Sequence, residues 1–504
     1  MASKHKIRKG VCLIVPPTRT YSTIMPLGIL SLSAYLESKH IENYILDFKM
    51  KEDMQAMGAI LDSLKLEKPR IIATSCMCTE IEHVIALCTE IKKILPYSKI
   101  IVGGPHPTNF PEVFSSNNCF DYIVIGEGEI TFYELCSLLI KKKSPSDDEL
   151  FKIKGIAWKK NISDKRPLLE NLDDLPIPAY HKIDMEYYAK PNSWIIRPVF
   201  ISVASIFTSR GCPYRCRFCT THAVFGKRAR NRSIRLILQE IKLLLNKYKF
   251  DAISFSDDTF TVNKEYTKNL CRAIIKNNMK FIWGCETRAN LVDEELLKLM
   301  RDAGCIQVDF GIETCSPRLL KVIQKDITVG SIEKALLLCR NLGIRTFVNM
   351  MTNLPTETIE DLNMSIVMMK RLKPNVIVWN VTIPYPGTNL DIVIDNKDLE
   401  LFNRFSSSEI YTVLDNKYKI CKYKAKFNDI VFNRLYKTFF HPKKPHLILT
   451  QTYIGSFFRF IDFIFDAKYI KQILRSRRKV MYLKEFFKIT PSLGKPSMIK
   501  HKSK

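Results

Sequence analysis

Three cysteines are the residues whose spacing can do chemistry. In FTSRGCPYRCRFCTTH, Cys212, Cys216 and Cys219 follow the pattern Cys-x3-Cys-x2-Cys directly after an apolar, strand-like run. Three thiolates on one short loop can hold three irons of a [4Fe-4S] cubane and leave the fourth iron open to another ligand. A structural zinc site would need a fourth Cys or His nearby, and its cysteines usually come as paired Cys-x2-Cys knuckles. Buried free thiols are the other alternative, but Pro213, Arg215, Arg217 and Thr220 give the segment the character of a loop rather than of a core strand.

The elements around this loop must position it. From Val199 the chain alternates apolar strand-like runs with amphipathic helical ones: VFISVASIFTSR, DAISFSDDTF, KFIWGCETRAN, CIQVDFGIET, IRTFVNMMTNLP and VIVWNVTIPYPGT, separated by helices such as SIRLILQEIKLLLNKY and TIEDLNMSIVMMKRL. Six such steps predict a partial (β/α)6 barrel over 196–403, with its site at the carboxyl ends of the strands. Asp257 or Asp258, at one of those ends, could face a ligand; capping the following turn is the alternative for Asp258.

The first 150 residues show a second alternation, with strands GVCLIVPP, RIIATSCM, KIIVGG and DYIVIGEGE between helical stretches. Continuous apolar strands with intervening helices predict a doubly wound parallel sheet. Its strand ends carry Thr74 and Ser75, Gly103 and Gly104, and Gly126 and Glu127, small or glycine-rich edges that would let a large ligand approach the backbone. Ordinary turns are the alternative. Residues 151–195, with their prolines and acidic turns in ENLDDLPIPAYHKID, read as a linker, and 404–504 as a basic, aromatic helical extension.

Composition fits a folded α/β protein: 46% of the 504 residues are hydrophobic and 26% charged. No apolar run reaches the roughly 18 residues of a membrane span, and MASKHKIRKG leads straight into a strand-like segment rather than into a signal sequence. A cytoplasmic protein is expected, with most of its 15 cysteines reduced and buried. The net charge of +27 is concentrated near the end: from Cys421 onward there are 20 Lys or Arg against 4 Asp or Glu. That tail, with RSRRK, raises an RNA-binding alternative, set against a solvated basic helix over the barrel mouth. The stretch SFFRFIDFIFDAKYIKQILRS could also lie peripherally on the inner face of a membrane, its phenylalanines buried and its cations toward anionic headgroups.

At the cysteine loop the sequence resembles the radical S-adenosylmethionine (SAM) superfamily. SFSDDTF, GIETCS, NLPTET and PYPGT, each at a strand end, extend the resemblance over the barrel. VPPTRTYSTIMPLGILSLSAYLE, IIVGGPHPT, DYIVIGEGE and the linker RPLLENLDDLPIPA resemble the class with an N-terminal cobalamin-binding domain, which includes class B methyltransferases and relatives of the anaerobic Mg-protoporphyrin monomethyl ester cyclase. The resemblance implies that SAM ligates the open iron and is cleaved to a 5′-deoxyadenosyl radical, with an electron donor such as flavodoxin or ferredoxin. It implies that Phe218 lies near the adenine, and that Glu313 and Asp258 contact SAM. It further implies that cobalamin sits on Thr74, Ser75, Gly103, Gly104, Gly126 and Glu127.

The Asp-x-His-x-x-Gly signature of cobalamin mutases is absent, so His106 reads as a loop residue. Methyl transfer to an unactivated carbon is the favoured reaction, and a cobalamin-free cyclisation or rearrangement the alternative. Methylthiotransferases are disfavoured. A small-molecule, lipid or peptide substrate is expected, and nucleic acid is not. Asn349, Asn353, Trp379 and Tyr385 are the strand-end residues available for substrate contact.

Overall fold

The structure, a computed structural model, describes residues 10–17, 24–49, 53–382 except 193–194, 198 and 353, then 388 and 390, and two strands at Ile410–Asp415 and Ile420–Ala425. Seven strands form the first sheet: β1 (Val11–Val15), β2 (Asn43–Asp47), β3 (Ile71–Ser75), β4 (Lys99–Gly103), β5 (Tyr122–Val124), β6 (Ile156–Trp158) and β7 (Asn161–Ile162). Their order is β2-β1-β3-β4-β5-β6-β7, parallel through β5 and antiparallel beyond it. The inner strands β1, β3 and β4 and the parallel β5 are apolar runs with helices on both faces, so alternate side chains feed two separate cores, while β2, NYILD, is the half-buried edge. Cys12, Ile14, Ile72, Ile100 and Val102 pack on one face, and Val11, Leu13, Ile71, Ile101 and Val124 on the other.

β6 and β7 correct the expected boundary, because residues assigned to the linker extend the sheet. The apolar Ile156-Ala157-Trp158 returns through Lys159, which takes the left-handed turn conformation at φ 51°, and pairs with β5. The rest of the linker is a strap of short turns. It carries Tyr180, whose hydroxyl donates to Glu240 at 2.6 Å, and Tyr188, whose hydroxyl donates to Asp47 at 2.7 Å, so it is bonded to both domains.

The second unit begins with β8 (Val203–Ile206) and a short antiparallel pair, β9 (Ser209–Arg210) with β10 (Arg230–Asn231). It continues through β11 (Ala252–Phe255), β12 (Ile282–Thr287), β13 (Cys305–Glu313), β14 (Arg345–Thr352) and β15 (Val376–Val381). The order β15-β14-β13-β12-β11-β8 is all parallel, the open partial barrel expected. Its helices begin where the sequence supplies a capping side chain. Ser233, Asn263, Asp293, Ser316, Thr328 and Thr358 each accept a backbone N–H of the first turn, worth about 1 kcal/mol apiece.

Trp283, Cys285, Val308 and Phe310 face these helices in the core, which leaves Gly284, Glu286, Gln307 and Asp309 on the inner face. Ile196, Val199 and Ile201, just before β8, pack on the first residues of the strands, including Val203, Ala252, Ile282 and Ile306, and close that end of the barrel.

The expected helical region from residue 404 is corrected at its start by β16 (Ile410–Asp415) and β17 (Ile420–Ala425), an antiparallel pair whose Ile, Tyr, Thr and Val favour strand. The aromatic, basic stretches expected to be helical or membrane-facing lie outside the described residues, as do Asn353 and Tyr385. Among the described residues no helix is long and apolar enough to cross a membrane.

Candidate active site at the meeting of two strand rims

The cysteine loop is fixed at its entry by a buried carboxylate. Asp257, two residues beyond the end of β11, accepts from Thr208 N at 2.8 Å, Thr208 Oγ1 at 3.0 Å, Ser209 Oγ at 2.8 Å and also Ser209 N. Burial pushes its carboxyl up to about 6 against the lowering effect of these donors. Four donors aimed at one carboxylate define the path of the chain into Cys212.

Within the loop, Cys219 N donates to Cys216 O at 3.1 Å and Arg217 N to Ile323 O at 3.0 Å, which folds the loop and pins it to the turn after helix Pro317–Val322. The Cys212 carbonyl lies 2.9 Å from His222 Nε2. Cys212 Sγ lies 3.5 Å from Thr259 Oγ1, and Cys216 Sγ accepts from Arg288 Nη1 at 3.2 Å. Burial raises the Cys219 thiol against the lowering bonds from Thr221, and the neighbouring Cys216 and Cys212 raise it further. Among the described residues no three His, Cys, Asp or Glu converge closely enough for a single metal ion. A cubane does not ask for that convergence, since each thiolate binds a different iron. The donor set therefore fits the cluster.

Phe218 packs on Leu319, Ile323 and Leu354, with Lys325 Nζ 5.4 Å from its ring centre. Lys325 is itself buried and pairs with Glu313 at 2.9 Å. Glu313 ends β13 at φ 69°, a backbone strain held in place by packing and by that ion pair. Asp258 is exposed on the same rim, accepts from Thr221 Oγ1 at 3.3 Å and is raised by burial of its carboxyl among loop atoms. The structure thus brings Cys212, Cys216, Cys219, Phe218, Asp258 and Glu313 to one end of the barrel.

On the first sheet's rim, Gly104 has φ +100° and a Cβ there would meet Ser75 Oγ at 2.4 Å, so strand packing itself demands glycine. Gly126, at φ +80°, has nothing within 4 Å of where a Cβ would be, which leaves open space for a ligand. Gly103 backs onto Val124. Thr74 is turned into the sheet, its hydroxyl donating to Ile14 O at 3.2 Å. His106 is buried against Phe110 and Phe114, a packing role consistent with its reading as a loop residue and not a ligand.

Glu127 is engaged by protein. It accepts from Arg210 at 3.2 Å, from Arg230 at 2.8 and 3.0 Å and from Leu169 N at 3.0 Å. Beside it, Glu129 accepts from Arg210 at 2.6 Å and from Ser31 Oγ at 2.7 Å. Burial would raise Glu129, but the Arg210 charge and the donors outweigh it and hold the carboxyl below its usual value. Arg210 stands two residues before Cys212, so a buried ion network joins the first domain to the cysteine loop. Helix Pro105–Asn109 also lies against helix Thr221–Phe225, which follows Cys219. The two rims therefore meet.

Both domains match known families. Residues 206–368 match the radical SAM superfamily and residues 18–136 the B12 binding domain. An uncharacterized methyltransferase of Pyrococcus horikoshii is 30% identical over 442 residues, covering 85% of this chain and 92% of that protein. The chain belongs to the cobalamin-binding radical SAM enzymes.

The anaerobic magnesium-protoporphyrin IX monomethyl ester cyclase of Rubrivivax gelatinosus is 26% identical, over 75% of this chain and 68% of the cyclase. The solved structure of the radical SAM methyltransferase TsrM from Kitasatospora setae, with cobalamin and a [4Fe-4S] cluster bound, shares the fold at a TM-score of 0.68 and 18% identity, over 88% of this chain and 91% of that one. This radical SAM enzyme uses a [4Fe-4S] cluster, SAM and cobalamin.

Several residues of the site have no local signal in the sequence. Arg210 and Glu129 find each other across 81 positions, and Arg230 and Glu127 across 103. Arg288 and Lys325 reach the cysteine loop from other strands or loops, and Arg288's place at a strand end is the one hint in the sequence. On the inner face, Arg197 lies 3.4 Å from both Glu286 and Asp309 and stacks 4.3 Å from the Phe347 ring centre. Burial first, then the Glu286 charge, pushes Asp309 up.

Proposed function

We propose that the protein transfers a methyl group to an unactivated carbon of a small-molecule, lipid or peptide substrate held between its two rims. The observation that carries this reading is the junction itself: Glu127 and Glu129 on Arg210 and Arg230, with helix Pro105–Asn109 on helix Thr221–Phe225. It brings a glycine edge with open space at Gly126 to the side of the cysteine loop.

When bound, the cofactors supply the electron, the radical that removes hydrogen from the substrate, and the methyl group. The protein's own residues position them and exclude water. Cys212, Cys216 and Cys219 furnish three thiolates on a loop held by Asp257. Phe218 offers its ring to the adenine, while Glu313, oriented by Lys325, and Asp258 accept from the ribose and amino groups of SAM. Ser75, Gly103, Gly104 and Gly126 form the bed for the corrin, with Thr74 and Glu127 supporting it from behind. Arg197, Glu286 and Asp309 make the inner wall of the chamber polar where it meets the substrate. An electron donor such as flavodoxin or ferredoxin serves the site in the cytoplasm. The aromatic, basic tail is read as the part that touches the inner face of the membrane.

The test is anaerobic reconstitution with iron, sulfide and hydroxocobalamin, followed by assay of SAM turnover with dithionite. Retained corrinoid, together with both 5′-deoxyadenosine and S-adenosylhomocysteine, supports methyl transfer. 5′-Deoxyadenosine without corrinoid or S-adenosylhomocysteine would replace it by a cobalamin-free cyclisation or rearrangement.

A further inference from the structure

Arg288 is buried, 4% exposed, directly after β12. Its guanidinium lies 3.7 Å from the ring centre of Tyr214, which belongs to the cysteine loop, and Nη1 donates to Cys216 Sγ at 3.2 Å. Nε and Nη2 are buried with no hydrogen-bond partner, and no carboxylate among the described residues pairs with the side chain. A guanidinium keeps its charge at every physiological pH, and burying it without a counter-ion is costly. The neighbouring arginines Arg210, Arg230 and Arg232, buried or half-buried, each pair with a carboxylate: Arg210 with Glu127 and Glu129, Arg230 with Glu127 and Arg232 with Glu240. Arg288 alone among these faces a thiol.

We infer that Arg288 is the counter-charge of the iron-sulfur cluster and sets its reduction potential. A cubane with three thiolates is anionic and becomes more so on accepting an electron. A fixed cation that donates to one of its thiolates favours the reduced form and raises the potential, since hydrogen bonds to the sulfurs and net charge are the protein's means of tuning such clusters. Stacking on Tyr214 fixes the plane of the guanidinium, so Nη1 stays aimed at Cys216 while two donors remain for the cluster side. Arg288 is thus a positioning and tuning residue acting through Cys216. The inference needs the cluster but not methyl transfer, and it would survive if the reaction were a cyclisation.

The experiment compares wild type, Arg288→Met and Arg288→Lys as reconstituted holoproteins, by redox titration followed by electron paramagnetic resonance, and as apoproteins by thermal unfolding. Arg288→Met is expected to lower the cluster's reduction equilibrium constant at least tenfold, a shift of about 59 mV to more negative potential for one electron. Arg288→Lys, which keeps the charge, should recover at least half of that shift. Apo Arg288→Met should be at least as stable as the wild-type apoprotein, because it removes an uncompensated buried charge. An unchanged potential in Arg288→Met carrying a full cluster would overturn the inference. So would an apo Arg288→Met that is less stable than wild type or fails to fold, since Arg288 would then be a scaffold residue.

Discussion

The two rims that meet at the site are built from opposite materials. The first sheet ends in glycines and small hydroxyls, and its carboxylates at the junction, Glu127 and Glu129, are already held by arginines from the barrel. The barrel ends in three thiols, an exposed Asp258, a strained Glu313 and an arginine aimed at sulfur. A large cofactor that brings its own reactive centre needs a surface it can approach closely, and side chains would only stand in its way. A cluster and a small charged cosubstrate need ligands and counter-charges. The difference teaches that the chain divides its labour: one rim supplies shape, the other bonds.

The largest break in that division comes from the bonding rim. Replacing Cys212, Cys216 and Cys219 by alanine should take iron from about four per chain to background, and abolish 5′-deoxyadenosine formation while the fold survives by circular dichroism. Next is the junction. Arg210→Met leaves Glu129 and part of Glu127 buried without their partner, and should cost about 3–5 kcal/mol in denaturant unfolding. It should also loosen cluster retention, because Arg210 leads into Cys212.

On the shape rim, two glycines should separate packing from cofactor binding. Gly104→Ala drives a Cβ into Ser75 and should cost about 2 kcal/mol of stability. Gly126→Ala places a Cβ where no protein atom lies within 4 Å, costs about 1 kcal/mol of backbone strain, and should weaken cobalamin retention about tenfold with iron content unchanged.

The smallest effect is a slope with pH, of opposite sign in the two regions. Asp257 holds its proton up to about pH 6 in the folded chain, against about 3.9 when unfolded. Its contribution to stability therefore falls as pH rises from about 4 to 6, and Asp257→Asn should flatten that fall. Glu129 is held below its ordinary value by Arg210. Its contribution is full above about pH 4.3 and is lost on further acidification, and Arg210→Met should remove it. Thermal unfolding across pH 3.5–7 checks both.

What could be read from the sequence was what is local. The cysteine loop declares itself because its three ligands lie within eight consecutive residues, and β1, β3, β4 and β5 do so because they are apolar runs between amphipathic helices, whereas the edge strand β2, NYILD, with polar residues at both ends, carries no such signal. The glycine edge was legible as an edge, but Gly104 and Gly126 look alike in sequence and differ only in what stands opposite them: Ser75 in one case, open space in the other. Glu127 read as a cofactor contact because GEGE ends a strand, and only the fold shows two arginines closing on it. β6 escaped because three apolar residues among lysines resemble a linker until β5 is present to pair with them.

The Arg210 network also has a consequence for how the protein is made. Glu129 leaves the ribosome 81 residues ahead of Arg210, so the first domain can be complete before the cysteines appear. Its two buried carboxylates then wait for the arginine that precedes Cys212, and the loop takes its final course as that arginine docks. The arginine that completes the first domain's ion pairs is thus the one that leads into Cys212, so the same contacts that join the domains also fix one side of the cysteine loop.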